Sequence, residues 1–358
     1  MEFPWGQLRI QAPRRTQPTK GDVSGEQREA KVLLVLSGPD LDHILEMRQA
    51  IRCVEQAYAE HSAGRTVMPL RLPVQTERGT TLLMPAYVRA STATSVKVVS
   101  VYEDNPRHGL PTVLGVLLLL DADTGRPLAL MDAARLTAIR TGASGGVAAK
   151  YLARRDSSVV ALFGAGVQAR TQLLALSVLF DLEEVRVYDV RRAQSERLVE
   201  EMTRRIGGNI RWVIAPDPEE TVRGADIVVC ATTSREPVFS GDWLTPGMHV
   251  TGVGSFTPTM REIDEITLRR ASRVVVDSYD ACWAEAGDLI RPVEEGLLDR
   301  EVVYGEIGEI VLGRKLGRRQ DDEITVFKAV GLAVLDTAVA AFAYRLAREQ
   351  GLGVEVAL

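Results

Sequence analysis

Cysteine is scarce in this 358-residue chain: Cys53, Cys230 and Cys282 are the only three, and they lie far apart. An odd, scattered set makes no disulfide framework, and without a Cys-x-x-Cys pair it makes no zinc site. A reducing cytoplasm is the expected compartment. Histidine is equally sparse, with four residues. No His-rich cluster offers itself to a metal, so none is expected. A basic excess is also missing, because 48 Asp and Glu outnumber 43 Lys and Arg for a formal net charge of -5. Proteins that bind a phosphate backbone normally carry the opposite balance, so nucleic acid is not an expected partner. A small anion needs only a few local cations and stays open. No apolar run reaches the ~20 residues of a membrane-spanning helix, so no membrane association is expected. There is no internal repeat and no Ser/His/Asp arrangement.

What is present is the balance of an ordinary folded protein, with 46% hydrophobic and 25% charged residues. The length suits two domains. Residues 1–30, rich in Pro, Arg, Gln, Gly and Thr, have no continuous apolar core of a secretory signal and are expected to form a mobile extension. Val32 to Leu36 reads as a strand, and Ser37 and Asp40 as helix caps. Asp42 to His61 carries apolar residues at helical spacing (Ile44, Leu45, Ile51, Val54, Ala57). From Val67 to Met131 short β-rich pieces alternate with Gly, Pro and Ser/Thr, which predicts a mostly antiparallel sheet. A helix follows from about Ala133 to Leu152. From Ser157 strands and helices alternate, with continuous Val/Ile/Leu runs, the texture of a parallel sheet covered on both faces. The segment Val326 to Glu349 reads as an Ala-rich helix that folds back onto the first region.

The clearest chemical motif is SSVVALFGAGVQA, with Gly164, Ala165, Gly166, Val167, Gln168 and Ala169 at its end. It follows a predicted strand and opens a predicted helix, the context that a dinucleotide fingerprint requires. Gly164 permits the tight turn, Gly166 lets backbone N–H groups approach a pyrophosphate, and Ala169 permits close helix-to-strand packing. The helix N-terminus offers unpaired N–H groups to the phosphates. Asp189 ends the next strand, VRVYDV, where a carboxylate would meet the ribose hydroxyls and repel a 2′-phosphate. NAD is therefore the expected cofactor. Arg191 and Arg192 follow closely and leave NADP possible.

Three cations stand out. Lys97 lies in TSVKVVSV, on the same strand face as Val99 and Val101. A lysine there needs a partner, or else guards an edge strand, and the two readings stand level. Arg140 lies in ARLTAIRTGASGGVAAKYLA, on a small apolar face with Leu136, Ala143, Ser144 and Val147. A substrate carboxylate could pair with it bidentately, or an internal Asp or Glu could. The glycines beside it would let a backbone or ligand come close. Arg71, in MPLRLPV, says little alone, and His108, in a turn, reads as solvated.

These segments resemble the ornithine cyclodeaminase and mu-crystallin family. The resemblance is carried by MPLRLPV, LLMPAY, VKVVSVYEDN, GLPTV, TGRPLALMDAARLTAIRTGASGGVAAKYLA, FGAGVQAR, VGSFTPTMREID, EAGD at Glu285 to Asp288, GEIGEI and TVFKAVGLAVLDTA. It implies an α/β fold in which a Rossmann-type parallel-sheet domain is inserted into a discontinuous α+β domain for substrate binding and dimerisation. On this chain that means residues 31–140 completed by 326–358 for the latter, residues 141–325 for the Rossmann domain, and a homodimer. The family positions that hold a substrate carboxylate fall on Arg71, Lys97 and Arg140. The aspartate that serves ring formation with loss of ammonia in true ornithine cyclodeaminases falls, by anchoring on Gly254, Pro258 and Glu262, on Phe256. The expected activity is therefore NAD(P)H-dependent reduction of a small, cyclic α-imino acid, with Lys97 or a water holding the imine proton. The alternatives are an alanine-like amino-acid dehydrogenase, an ornithine or lysine cyclodeaminase, or a mu-crystallin-like binding protein.

Overall fold

A computed structural model describes residues 32–358. The expected N-terminal extension lies outside the described residues. The first region runs β1 (Val32–Leu36), α1 (Gly38–Ile44), α2 (Met47–Ser62), β2 (Thr66–Val67), β3 (Leu72–Gln75), β4 (Thr80–Val88), β5 (Ala93–Val101), β6 (Val113–Asp121), β7 (Pro127–Asp132) and α3 (Ala133–Leu152). Ser37 caps α1 with a reciprocal capping box to Asp40. The single helix expected over Asp42 to His61 is broken, because the chain turns extended at Leu45 and Glu46 and restarts at Met47. The second region runs β8 (Val159–Phe163), α4 (Val167–Ser177), β9 (Glu184–Tyr188), α5 (Arg192–Ile206), β10 (Arg211–Ile214), α6 (Pro218–Val222), β11 (Ile227–Cys230), β12 (His249–Gly252), α7 (Glu265–Arg270), β13 (Arg273–Val276), α8 (Tyr279–Glu285), α9 (Gly287–Glu294), β14 (Val303–Glu306), α10 (Ile307–Val311) and β15 (Thr325–Lys328). The chain closes with α11 (Ala333–Gln350) and β16 (Val354–Ala357).

Among the described residues these strands form two eight-stranded sheets. The first has the order β16-β1-β7-β6-β5-β4-β2, with β3 also on β4. Its pairs are antiparallel except β1 on β7. The second has the order β10-β9-β8-β11-β12-β15-β13-β14, and every pair is parallel. The chain is thus α/β, with a doubly wound sheet whose order reverses between β8 and β11. That is where such sheets bind ligands.

A second expected element is corrected. The helix predicted from Val326 begins at Ala333, and Thr325–Lys328 instead forms β15, inside the parallel sheet. TVFK is fully buried, and a short apolar run reads alike for a buried strand and for a helix. Gly331, at φ +87°, turns the chain between the two. From there α11 packs on β4, β5, α2 and α3, so it joins the two sheets.

Helix α3 is the other joint. It starts at Asp132, whose carboxylate accepts the Arg135 N–H at 2.9 Å, and runs unbroken through residue 140 to pack on both α2 and α4. Its small residues serve that packing. A Cβ on Gly142 would lie 2.4 Å from the Thr171 carbonyl of α4, and one on Gly145 would lie 1.8 Å from Gln172 Oε1. The glycine run beside Arg140 therefore admits a helix backbone.

Candidate active site

The motif around Gly164 lies at the carboxyl end of β8. Gly164 has φ +89°, and a Cβ there would stand 2.5 Å from the Ala231 carbonyl on the neighbouring strand end. No larger residue fits. Gly166 caps α4, and a Cβ on it would meet no protein atom within 4 Å. Internal packing does not demand that glycine, whereas a pyrophosphate lying over the helix N-terminus does. Ala169 is fully buried against the sheet. The Gln168 Oε1 atom is buried without a hydrogen-bond partner, a polar atom left waiting for one. Arg170 braces the turn by donating to the carbonyls of Ala165 (2.6 Å) and Gly166 (3.0 Å).

The cleft above this turn has a volume of 440 Å³ and is walled by Gly164–Gly166, Tyr188–Arg191 and Ala231–Ser234. Asp189 stands at its rim. One carboxylate oxygen accepts the Ala165 N–H and the other the Arg191 N–H, each at 2.9 Å. Its second lone pairs are left for ribose hydroxyls. Val190 is 88% exposed at the same rim, an apolar edge of the kind an adenine ring covers. The Arg191 guanidinium reaches outward, 75% exposed and 3.8 Å from Asp189. These residues fit a nicotinamide dinucleotide. On the far side, Glu262 accepts from the Thr232 N–H (2.6 Å), Gly254 N–H (2.8 Å) and Ser255 N–H (2.9 Å). One buried carboxylate thereby locks together the loops after β11 and β12.

The three cations marked in the sequence converge beside the turn after β15. Lys97 is not at an edge, since β5 pairs with β4 on one side and β6 on the other. Its side chain is 2% exposed, and its ammonium lies 2.7 Å from Asp336 of α11. Arg140 donates from Nε to the other oxygen of Asp336 at 3.1 Å. The internal partner weighed for Arg140 therefore exists, and it is shared with Lys97. The rest of the guanidinium faces Gly331, where a Cβ would stand 2.7 Å from Nη1. Arg71 donates to the Gly331 carbonyl at 2.9 Å and lies 2.7 Å from Glu285 through Nε. His108 is exposed, as expected.

Burial sets the protonation of this cluster. It pulls Lys97 down to about 8, with Asp336 opposing and Arg140 adding to the pull. Asp336 resists burial because Arg140 and Lys97 hold its carboxyl below the usual range. Burial pushes Glu285 up to about 7 against the attraction of Arg71, with Asp277 adding to the push. Its Oε2 is buried without a partner. The cluster thus sets Arg71, Lys97 and Arg140 against Asp336 and Glu285, with the Asp277 carboxyl close by, so one positive charge is left over when Glu285 is neutral. It can take one small anion beside a carboxyl that exchanges its proton near neutrality.

Sequence reasoning missed Glu285 and Asp336. Asp336 carried a readable signal, a lone carboxylate in the apolar stretch GLAVLDTAVAAF, open to the argument that singled out Lys97. Glu285 gave no pattern of its own. Phe256 is half-buried and packs on the core next to the Glu262-bound Ser255. Among the described residues no group of His, Cys, Asp and Glu is arranged to hold a metal.

Known proteins share this fold. Residues 32–351 match the ornithine cyclodeaminase/mu-crystallin family. A Delta(1)-pyrroline-2-carboxylate reductase of Bacillus cereus is 39% identical over 326 residues, covering 90% of this chain and 99% of that protein. The structure of Thermococcus litoralis Delta(1)-pyrroline-2-carboxylate reductase in complex with NADH and L-proline is 43% identical, with a TM-score of 0.87 over 90% of this chain and all (100%) of the other. An archaeal alanine dehydrogenase dimer with bound NAD is 36% identical, with a TM-score of 0.85 over 91% and 99% of the two chains.

Proposed function

The chain belongs to the ornithine cyclodeaminase/mu-crystallin family, and from that premise we propose that it reduces a small cyclic α-imino acid, Δ1-pyrroline-2-carboxylate in the first instance, to the amino acid at the expense of NADH. The observation that carries this reading is the unbalanced positive charge of Arg71, Lys97 and Arg140 beside the raised carboxyl of Glu285.

The substrate carboxylate would sit between the two guanidinium groups, with the Lys97 charge behind it, and charge-assisted bonds would fix its orientation. The nicotinamide, when bound, supplies the hydride for the C=N carbon. Glu285 supplies the proton for the nitrogen, so that hydride plus proton convert the imine to the amine and leave a carboxylate that solvent reprotonates. This assigns the proton to Glu285 and leaves Lys97, bound to Asp336, to hold charge. The clamp fixes the reacting carbon, so orientation supplies much of the rate. Phe256 can neither accept a proton nor bind an ammonium as a carboxylate does, which argues against a substrate with a distal amine. Asp189 favours NADH, with Arg191 near enough to tolerate NADPH.

The exposed apolar residues Leu72, Val74, Leu114 and Val116 share one face of the sheet on β3 and β6, and a second copy of the chain would cover them. Among the described residues no helix is long and apolar enough to cross a membrane. With three free cysteines, a cytoplasmic site of action is part of the proposal, checked by cell fractionation. The deciding assay follows NADH oxidation with Δ1-pyrroline-2-carboxylate and with 2-oxo acids, each with and without ammonia. Ammonia-independent turnover of the cyclic imine supports the reading. Turnover only of 2-oxo acids with ammonia would make this an amino-acid dehydrogenase, and no turnover with nicotinamide binding intact would leave a binding protein.

A further inference from the structure

The arginines of the clamp are held by more than their carboxylate partners. Both lie against one short piece of backbone, the Val330–Gly331 turn after β15. Arg71 Nη2 donates to the carbonyls of Gly331 (2.9 Å) and Val330 (3.4 Å). Arg140 packs on the bare Cα of Gly331, at a position where a methyl group would collide with both of its terminal nitrogens. The turn is held from beneath by one side chain. Asp277, at the end of β13, is fully buried. Its Oδ2 accepts the N–H groups of Val330 (2.9 Å) and Gly331 (2.8 Å). Its Oδ1 accepts the Ser278 N–H (2.9 Å) and the Cys282 thiol (3.2 Å).

We propose that Asp277 is a positioning residue for the substrate carboxylate: by gripping the two amides of the Val330–Gly331 turn it aims the carbonyls and the bare Cα on which Arg71 and Arg140 rest. The inference rests on the reading of those arginines as the carboxylate clamp. Four donors converge on Asp277 and none of them belongs to the substrate or the clamp, so its influence passes through the backbone. A peptide N–H and the preceding C=O share one plane. Fixing the Gly331 N–H therefore fixes the Val330 carbonyl in the same unit, and the rigid turn carries that order to the Gly331 carbonyl. Asn at this position keeps the shape but must turn an NH2 group toward one pair of N–H donors, so one side of the grip is lost.

The test compares two substrates, Δ1-pyrroline-2-carboxylate and Δ1-pyrroline, which differ only in the group the clamp grips. In Asp277→Asn, kcat/KM for the carboxylated imine should fall at least about tenfold, as expected from loosening a charge-assisted bond. Most of that should appear in KM, while kcat/KM for Δ1-pyrroline and the affinity for NADH change less than about threefold. Gly331→Ala, with Asp277 intact, should show the same selective loss, and it stands in if Asp277→Asn does not fold. Equal losses on both substrates, or no loss of discrimination in either variant, would overturn the proposal. Arg140→Ala is the reference: if it too leaves discrimination between the substrates unchanged, the clamp reading is what fails. Discrimination lost in Arg140→Ala but kept in both other variants removes only the role of Asp277.

Discussion

Replacement of Arg140 by alanine separates the two duties the structure gives this residue. One is structural. Arg140 and Lys97 share Asp336, which is fully buried, and Arg140 is itself 7% exposed at the side chain. Removing one partner of a buried ion pair typically costs about 3–5 kcal/mol. Asp336 keeps the Lys97 ammonium at 2.7 Å, so the loss should sit near the lower end, about 3 kcal/mol. For a protein of this size that is a fall of several degrees in Tm. The other duty is recognition. Only Nε is engaged with Asp336, and the terminal nitrogens on the Gly331 side are the ones that would meet the carboxylate. Each charge-assisted bond contributes about 1.5–3 kcal/mol, and 1.36 kcal/mol is one decade in rate. The loss in kcat/KM for the imino acid should then be at least about tenfold, with NADH affinity preserved. Lysine should restore part of both properties, because it returns the charge without the planar fork. Tm, NADH affinity and kcat/KM measured on one preparation decide the matter. A protein that melts earlier yet reduces the imino acid at the wild-type kcat/KM would confine Arg140 to the ion pair and refute the clamp.

Three further outcomes are expected. Because Glu285 titrates at about 7 and donates as the neutral acid, kcat/KM for reduction should decline as pH rises through that value, and amino-acid oxidation should rise over the same interval. Glu285→Gln should flatten that limb and slow the reaction about a hundredfold; an unchanged pH profile in the variant would take the proton role from Glu285. NADH should give the higher kcat/KM over NADPH, and Asp189→Ala should narrow the gap; a wild-type preference for NADPH would show that Arg191 and Arg192 outweigh Asp189. Val116→Lys, on the exposed face of β6, should shift a dimer toward monomer in light scattering, and a wild-type monomer at working concentration would dispose of the proposed assembly.

Features that depend on near neighbours in the chain were legible from the sequence alone. The Gly164–Ala169 turn, the capping of α1 by Ser37 and Asp40, the α3 limits and the strands β8, β9, β11, β12 and β13 rest on backbone geometry and on burial patterns with periods of a few residues. Lys97 and Arg140 were visible for a related reason, as charges on local surfaces that should be apolar. What those charges meet was not local. Asp336 stands 239 residues from Lys97 and 196 from Arg140, and Arg71 reaches the Gly331 carbonyl across 260 residues. No periodicity encodes such a meeting, which follows only from the order of strands and the path of α11. The strand–turn–helix at Thr325–Gln350 marks the boundary between the two kinds of knowledge. Its first four residues suit a buried strand and a helix equally, and hydrogen bonding to β12 and β13 on either side decided for the strand. That choice set Gly331 between the two arginines, and tertiary pairing rather than residue identity brought a carboxyl, an ion pair and a backbone turn together.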